Sequence, residues 1–301
     1  MERKQIILIG AVAAAFVLVL VSVLLISGGK NDDGADISPG QEPYMSVMCL
    51  KCGAADAFVI IKDGHAAVID CGEYDDGGKV VSYLRLSGIE TVDQMIISHF
   101  DKDHVGGAAK IIRELEVKEI YTTYLSKDSD EIGDFQAACG EKGIEPVIVT
   151  EETVLSLNGE RTDGGASGSA LATMTIYPPE KTDYGKDNSN NSSLAVMLSD
   201  LESGRSMFFT GDAENKRIKE LVSLPVACDV IKVPHHGRYE SRFVDLLRVC
   251  SPSYAVITSS AVSPEDSETM EILKDKGVET YLTRNGTVTF EFYPDGIKVL
   301  Q

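Results

Sequence analysis

From residue 44 to residue 301, short apolar runs bounded by turn residues alternate with amphipathic stretches, in two successive sets. In the first set, "YMSVMCLKC" and "AFVIIKDGHAAVIDCG" read as three strands, the last two joined at the turn signal "KDG". "GKVVSYLRLSG" carries helical spacing through Val80, Tyr83 and Leu84 and stops at Gly88. "TVDQMIIS" is a buried strand, and "GGAAKIIRELE" a helix with Ala108, Ile111, Ile112 and Leu115 on one face. The second set runs through the strands "ATMTIYPP", "SLAVMLSD" and "SMFFTGD", the helix "AENKRIKELVSL" and the strand within "CDVIKVPHHG". It continues with the helix "SRFVDLLRVC", the strand "YAVITSS", the helix "SETMEILKDKG", and a last sheet through "VETYLT", "GTVTFEFY" and "GIKVL". Two strand-then-helix sets predict an α/β chain, with two sheets packed face to face and helices outside. The pattern is weakest between residues 122 and 170, where "KDSDEIGDFQAACGEKG" predicts a helix and "NGERTDGGASGSA" a surface loop.

Ahead of this domain, "IILIGAVAAAFVLVLVSVLLIS", Ile6–Ser27, runs for 22 residues without a charge. As a helix it is long enough to cross a hydrocarbon core of ~30 Å. Arg3 and Lys4 stand before it, and the mostly acidic, glycine-rich "GGKNDDGADISPGQEP" follows. The basic flank therefore stays cytoplasmic and everything beyond the span lies outside. A cleaved signal peptide has a shorter apolar core of ~7–15 residues that ends in an A-x-A-like site, whereas this run continues to Ser27 and ends in no such site. No cysteine follows for a lipoprotein anchor. The expected plan is a cytoplasmic N-terminus (1–5), a single-pass membrane anchor (6–27), a flexible linker (28–43) and an extracytoplasmic domain (44–301).

The chain has five histidines. His65, beside the "KDG" turn, reads as a solvated hairpin residue. The other four fall into two short polar clusters, "SHFDKDHVGG" and "PHHG", each directly after an apolar strand. Asp70 and Asp212 also end apolar strands, in "AAVID" and "MFFTGD". Strand ends on one edge of a sheet sandwich converge, so Asp70, the segment from His99 to His104, Asp212 and His235/His236 meet at one rim. Neutral imidazoles and carboxylates in one cleft suit Zn²⁺, Mn²⁺ or Fe²⁺.

"SHFDKDHVGG" with the later "TGD" and "VPHHG" resembles the metallo-β-lactamase fold superfamily. Within it, the pattern is most similar to the extracytoplasmic hydrolase domain of ComEC-type DNA-uptake proteins, whose hallmark is S/T-H-x-D-x-D-H-x-G-G. The resemblance covers nearly all of residues 44–301 and takes in "VIDCG", the N-x-x-S-L stretch from Asn190 to Leu194, and "NGTVTFEF". It implies a four-layer αββα sandwich with a two-metal site, Zn or Mn, at one rim. By position, His99 and Asp101 would hold one metal, Asp103 and His104 the other, and Asp212 would bridge them. His235 or His236 would add a ligand, leaving its partner to protonate a leaving group. Asp70 would orient a ligand from behind, and Gly106 and Gly107 would let the backbone pack close to the metals.

The pattern departs from the superfamily's commonest form in two places. Position 101 is Asp where histidine is more usual, and no histidine lies between His104 and His235 to serve as the third on the first metal. The ComEC-type branch shares both features and has its Asn/Ser stretch there instead. Asn190, Asn191 and Ser193 would bind a substrate phosphate or water, or else simply cap a strand entry. "HHGRYES" also places Arg238 where that branch usually has serine, and retains Ser241. Arg238 either clamps an anionic substrate oxygen or is a surface arginine.

Two close cations can hold hydroxide at neutral pH and polarise a phosphoryl oxygen. Water is then the nucleophile, with Asp103, Asp212, His235 and His236 at the catalytic centre. The resemblance implies a phosphodiesterase or nuclease acting on DNA or another phosphodiester. A net charge of −19 opposes a strong grip on nucleic acid, and no basic patch is evident. Lys102, Lys232 and Arg238 are the local cations left to supply it. The alternatives are a hydrolase of small phosphoesters or envelope phosphocholine-type groups, and a non-catalytic tethered binding module. Cys49-x-x-Cys52 is half of a zinc knuckle with no second pair, and the spacing assigns no disulfide among the six cysteines.

Overall fold

In the strands Met45–Cys49 (β2), Ala57–Lys62 (β3), His65–Cys71 (β4) and Thr91–Ile97 (β5), nearly every residue is buried. Their side chains nevertheless divide by parity, as a pleated strand requires. Val47, Phe58, Ile60, Ala67, Ile69 and Ile96 enter one apolar core, whereas Met48, Val59, Ala66, Val68, Met95 and Ile97 enter another. A sheet buried on both faces lies between two layers, and the cores identify them. The first core is shared with strands of a second sheet, through Met174, Ile176, Val196, Leu198, Met207 and Phe209. The other is closed by helices Gly77–Leu86 (α1), Ala108–Glu114 (α3) and Asp130–Lys142 (α4).

The computed structural model describes residues 30–31, 40–157 and 172–301. The apolar run Ile6–Ser27 and the loop at 158–170 lie outside the described residues. Among the described residues, no helix is long and apolar enough to cross a membrane.

The first sheet is completed by β1 (Lys30–Asn31), β6 (Glu116–Thr122), β7 (Val147–Ile148), β15 (Val288–Tyr293) and β16 (Gly296–Leu300), in the order β1-β16-β15-β2-β3-β4-β5-β6-β7. The second contains β8 (Thr153–Ser156), β9 (Ala172–Tyr177), β10 (Ala195–Asp200), β11 (Arg205–Phe209), β12 (Val230–Lys232), β13 (Tyr254–Ile257) and β14 (Glu279–Leu282), in the order β14-β13-β12-β11-β10-β9-β8. Its outer face is closed by Asn215–Leu221 (α6), Phe243–Cys250 (α7) and Ser267–Asp275 (α8), giving helix, sheet, sheet, helix. Strands β4 to β7 pair in parallel, as do β11 to β14, and each parallel step needs a crossover that the helices supply.

Two sequence readings need correction. "VETYLT" does not join the last two strands in one sheet: β14 pairs in parallel with β13 (Tyr254↔Glu279), while β15 crosses to the first sheet and pairs with β2 (Val288↔Cys49). The turn at Thr283–Gly286 is thus a passage between sheets. Strands β6, β7 and β8 also escaped the reading. In β6, exposed Glu116 and Lys118 interrupt the apolar positions, and the helical spacing before it runs on through Leu115, whose backbone is already extended (φ −119, ψ 167).

Parallel strands carry their C-terminal ends to one edge, and here both sheets do so on the same rim. Asp70 lies within β4, and Ser98 and His99 follow β5. Asp212 follows β11, Lys232 ends β12, and Thr258 follows β13. Asp56 joins them from the start of β3, which is antiparallel to β4.

Candidate metal centre

At this rim, Asp103, His104, Asp212 and His236 bring one ligand atom each to within 4.8 Å of one another. His104 Nε2 lies 3.4 Å and His236 Nε2 3.1 Å from Asp212 Oδ2, and His236 Nε2 is 3.3 Å from Asp103 Oδ2. Lys102–Val105 (α2), a single helical turn after the β5 strand end, presents Asp103 and His104. The turn Pro234–Gly237 presents His236 through a backbone of rare shape. His235 (φ 48), His236 (φ 52) and Gly237 (φ 80) are all left-handed in succession. Two non-glycine residues held this way store strain that the surrounding packing must hold in place.

Each imidazole is fixed by its far nitrogen. His104 Nδ1 donates to Asp70 Oδ2 at 2.8 Å, and His236 Nδ1 donates to the Thr258 carbonyl at 3.0 Å. Ser98 Oγ, 3.1 Å from His99 Nδ1, donates to Asp70 Oδ2 and so accepts from that ring. With Nδ1 occupied, each ring turns an Nε2 lone pair inward. The Nε2 atoms of His99, His104 and His236 are all buried without a hydrogen-bond partner. Buried polar atoms are ordinarily satisfied, and three imidazole nitrogens facing carboxylates form a donor set suited to a divalent cation.

The charges lead to the same conclusion. Burial disfavours a charged His104, yet the carboxylates of Asp212, Asp70 and Asp56 outweigh it and hold its pKa well above the ordinary imidazole value. Burial is likewise outweighed at His236, where Asp212 and Asp103 push the pKa up to about 9. Asp212 is pushed the opposite way: burial would raise it, but His236, His104 and Lys232 hold it well below the usual carboxylate range. His99 is the exception, pulled down to about 4 by burial and by neighbouring His104. A site that draws protons onto imidazoles so strongly is one that accepts positive charge.

The remaining sequence candidates divide. His99 and Asp101 stand beside the four-residue group as a looser pair, His99 Nε2 and Asp101 Oδ2 being 3.8 Å apart. Asp70 lies behind the motif, where it also accepts the Ser98 backbone N–H at 2.7 Å. The two histidines of "HHG" point apart: His235 Nδ1 faces Glu214 and Glu240, each at 3.8 Å, in a separate group. Asn190 Nδ2 meets His235 Nε2 and donates to Glu214, and Asn191 donates to the other Glu214 oxygen. Ser193 Oγ accepts the Asp212 backbone N–H at 3.1 Å and so props that strand end. Arg238 is not aimed at the centre; its guanidinium meets Asp266 and Ser263. Ser241 Oγ bonds Asn215 Oδ1 at the start of α6.

The closeness at Gly106 and Gly107 is backbone to backbone. A Cβ on Gly107 would come within 2.2 Å of the Cys71 carbonyl, and one on Gly106 within 2.9 Å of the Tyr74 nitrogen. These glycines seat the motif against the chain after β4. All six cysteines are free and buried. His65 is not free in solvent: its Nδ1 pairs with Asp93 at 2.9 Å.

Sequence reasoning missed Asp56 and Thr258 and misread Lys232. Lys232 is fully buried, its Nζ 2.6 Å from Asp56 Oδ2 and 3.2 Å from Asp212 Oδ1. Thr258 Oγ1 donates to Asp56 Oδ1 at 2.6 Å. The signal that pointed to Asp70 and Asp212, a polar residue ending an apolar strand, was also present in "YAVITSS".

A sequence model described as Metallo-beta-lactamase superfamily matches residues 50–258, most of the chain. The chain belongs to the metallo-β-lactamase superfamily. With the family comes the coarse reading of a metal-dependent hydrolase, and the donor set above fits it. Two curated relatives are 25% identical to this superfamily member. ComE operon protein 3 of Bacillus subtilis aligns over 72% of the chain and 27% of its own length. Recombination protein 2 of Haemophilus influenzae aligns over 86% and 30%. The chain thus spans under a third of the length of either relative. Among solved structures, the metallo-β-lactamase fold protein YhfI of Bacillus subtilis shares 12% identity at a TM-score of 0.55, covering 81% of this chain and 98% of its own. Igni18, a metallo hydrolase of Ignicoccus hospitalis, shares 18% at 0.51, covering 82% and 99%.

Proposed function

We propose that this chain is a membrane-anchored, extracytoplasmic phosphodiesterase of ComEC type. The observation that carries the hydrolytic part is the group of Asp103, His104, Asp212 and His236, with buried Nε2 atoms turned inward. These four residues would hold one divalent cation; His99 and Asp101, beside the shared Asp212, would hold a second. When bound, the cations supply Lewis acidity, which makes water acidic enough to attack and offsets charge on a phosphoryl oxygen.

The chain's own groups do the rest. Asp70 and the Thr258 carbonyl fix the tautomers of His104 and His236. Lys232 holds Asp212 Oδ1, which leaves Oδ2 facing the histidines. Two hydroxyls beside the histidines serve as props: Ser98 Oγ donates to Asp70, and Ser193 Oγ donates to the Asn190 carbonyl. Water is the nucleophile in this reading. The two ComEC-type relatives support a phosphodiester substrate. The anchor and topology rest on the uncharged run Ile6–Ser27 with its basic flank.

One observation favours a substrate smaller than DNA. Four of the nearby cations are already engaged: Lys102 pairs with Glu73, Lys127 with Asp101, and Arg238 with Asp266, while Lys232 is buried against Asp56. Few are left to neutralise a phosphate backbone. The test is hydrolysis by the Zn²⁺- or Mn²⁺-loaded chain of single-stranded DNA, duplex DNA and an activated small phosphodiester in parallel. Asp103→Ala and His104→Ala should lower the rate by ~10²-fold or more. Cleavage of the small diester alone selects the small-phosphoester reading. Wild type no faster than these variants on every diester refutes the phosphodiesterase.

A further inference from the structure

The two expected cation positions are built unequally. The inner one has four donors, two of them carboxylates, from Asp103, His104, Asp212 and His236. Among the described residues, His99 and Asp101 belong to no such group of three or more ligating atoms. The outer position's own donors are His99 Nε2 and Asp101 Oδ2, and its own charge is the single carboxylate of Asp101.

That carboxylate already has a cation on it. Lys127, in the loop between β6 and α4, places its ammonium directly on Asp101 Oδ1, and Ser189 Oγ donates to the same oxygen. The pair is partly open to solvent, with 38% of the lysine side chain and 25% of the aspartate exposed. Lys127 can therefore leave, as the fully buried Lys232 cannot. A divalent ion arriving at His99 and Asp101 meets a charge that is already offset and an ammonium a few ångströms away, which opposes it.

We propose that Lys127 controls occupancy of the outer position: its ammonium competes with the second divalent cation for Asp101. The chain then holds one cation firmly at the inner group and takes the second only at higher concentration, displacing Lys127. The inference rests on the metal-dependent reading above and deepens it. It concerns uptake, so it can be tested without any substrate.

The test is titration of Mn²⁺ into the chelator-stripped full-length chain, following free Mn²⁺ by electron paramagnetic resonance and heat by calorimetry. Wild type should show two binding steps of unequal affinity. Asp101→Asn should abolish or weaken the second step and leave the first, which identifies it. Lys127→Met should tighten the second step on the order of tenfold, with the first unchanged, and Lys127→Arg should match wild type. A second step that is unchanged or weaker in Lys127→Met overturns the competition. Two equal steps in wild type also overturn it. A first step that survives in either case leaves the metal-dependent reading standing, whereas wild type taking up no Mn²⁺ overturns both.

Discussion

Replacing Lys232 by methionine tests how the centre is held together. Its ammonium is wholly buried, 2.6 Å from Asp56 Oδ2 and 3.2 Å from Asp212 Oδ1, and it donates to the Gly211 carbonyl at 2.8 Å. Methionine keeps most of the stem's volume, so little cavity forms. What is lost is an ammonium paired with two buried carboxylates, Asp56 and Asp212. Removing one partner of a buried ion pair costs about 3–5 kcal/mol, because the remaining charge stays desolvated. In a domain of this size ~1 kcal/mol moves Tm by ~2–4 °C, so a fall of about 10 °C is expected in chelator. A divalent cation at the centre would neutralise Asp212 in part, so the deficit should shrink when Mn²⁺ or Zn²⁺ is present. Adding Asp56→Asn to Lys232→Met should recover part of the loss, because it removes one of the two stranded charges. The assay is thermal unfolding by circular dichroism, with and without cation. Lys232→Met melting within ~2 °C of wild type in chelator would refute the claim that this lysine balances the carboxylates.

Asp70→Asn should keep the fold but turn one accepting oxygen into an N–H donor, so that the side chain can no longer accept from both the Ser98 backbone and His104. Cation affinity should weaken by about 10–100-fold in a chelator competition. In chelator, stability should peak near the ordinary imidazole pKa and fall on both sides. His236, raised from 6.5 to about 9, stabilises the fold below 6.5 and loses that contribution as pH rises toward 9. His99, lowered from 6.5 to about 4, stays neutral when folded, so the unfolded chain binds more protons and stability falls as pH drops from 6.5 toward 4. Urea unfolding across that range measures both limbs; saturating cation should flatten the alkaline one, since it replaces the proton on His236.

Much of this centre was legible because its chemistry sits in short, ordered motifs. The segment from His99 to His104, with Asp70, Asp212 and the "HHG" turn, could be read as polar residues ending apolar strands. Which histidine of the pair faces inward could not be read. That depends on two successive left-handed residues that no local preference predicts. The supports were hidden for a different reason. Asp56 and Thr258 are joined by one hydrogen bond across 202 positions of sequence, and neither stands in a motif of ligating residues. Lys232 looked like a surface cation because lysine usually is one; it is the meeting of the two sheets at the rim, which brings Asp56 at the start of β3 against the end of β12, that buries it. The helices and most strands followed from periodicity. The passage of β15 and β16 to the first sheet did not, because a turn between two strands gives no sign that they belong to different layers.

That passage also governs the order in which the protein can assemble. In the first sheet β2 is flanked by β3, its neighbour in sequence, and by β15, with Val47 paired to Ile60 on one side and to Phe290 on the other. A ribosome makes β2 among the first strands of the domain and β15 near the end, after the whole second sheet. Until then β2 offers a row of unpaired amides and carbonyls, and the inner core lacks Val288, Phe290 and Phe292. The first half can form its helix-covered outer face early, but its inner face stays open through most of synthesis. An emerging chain of this topology therefore keeps apolar surface and an open strand edge exposed for nearly as long as it takes to translate, until β15 meets β2.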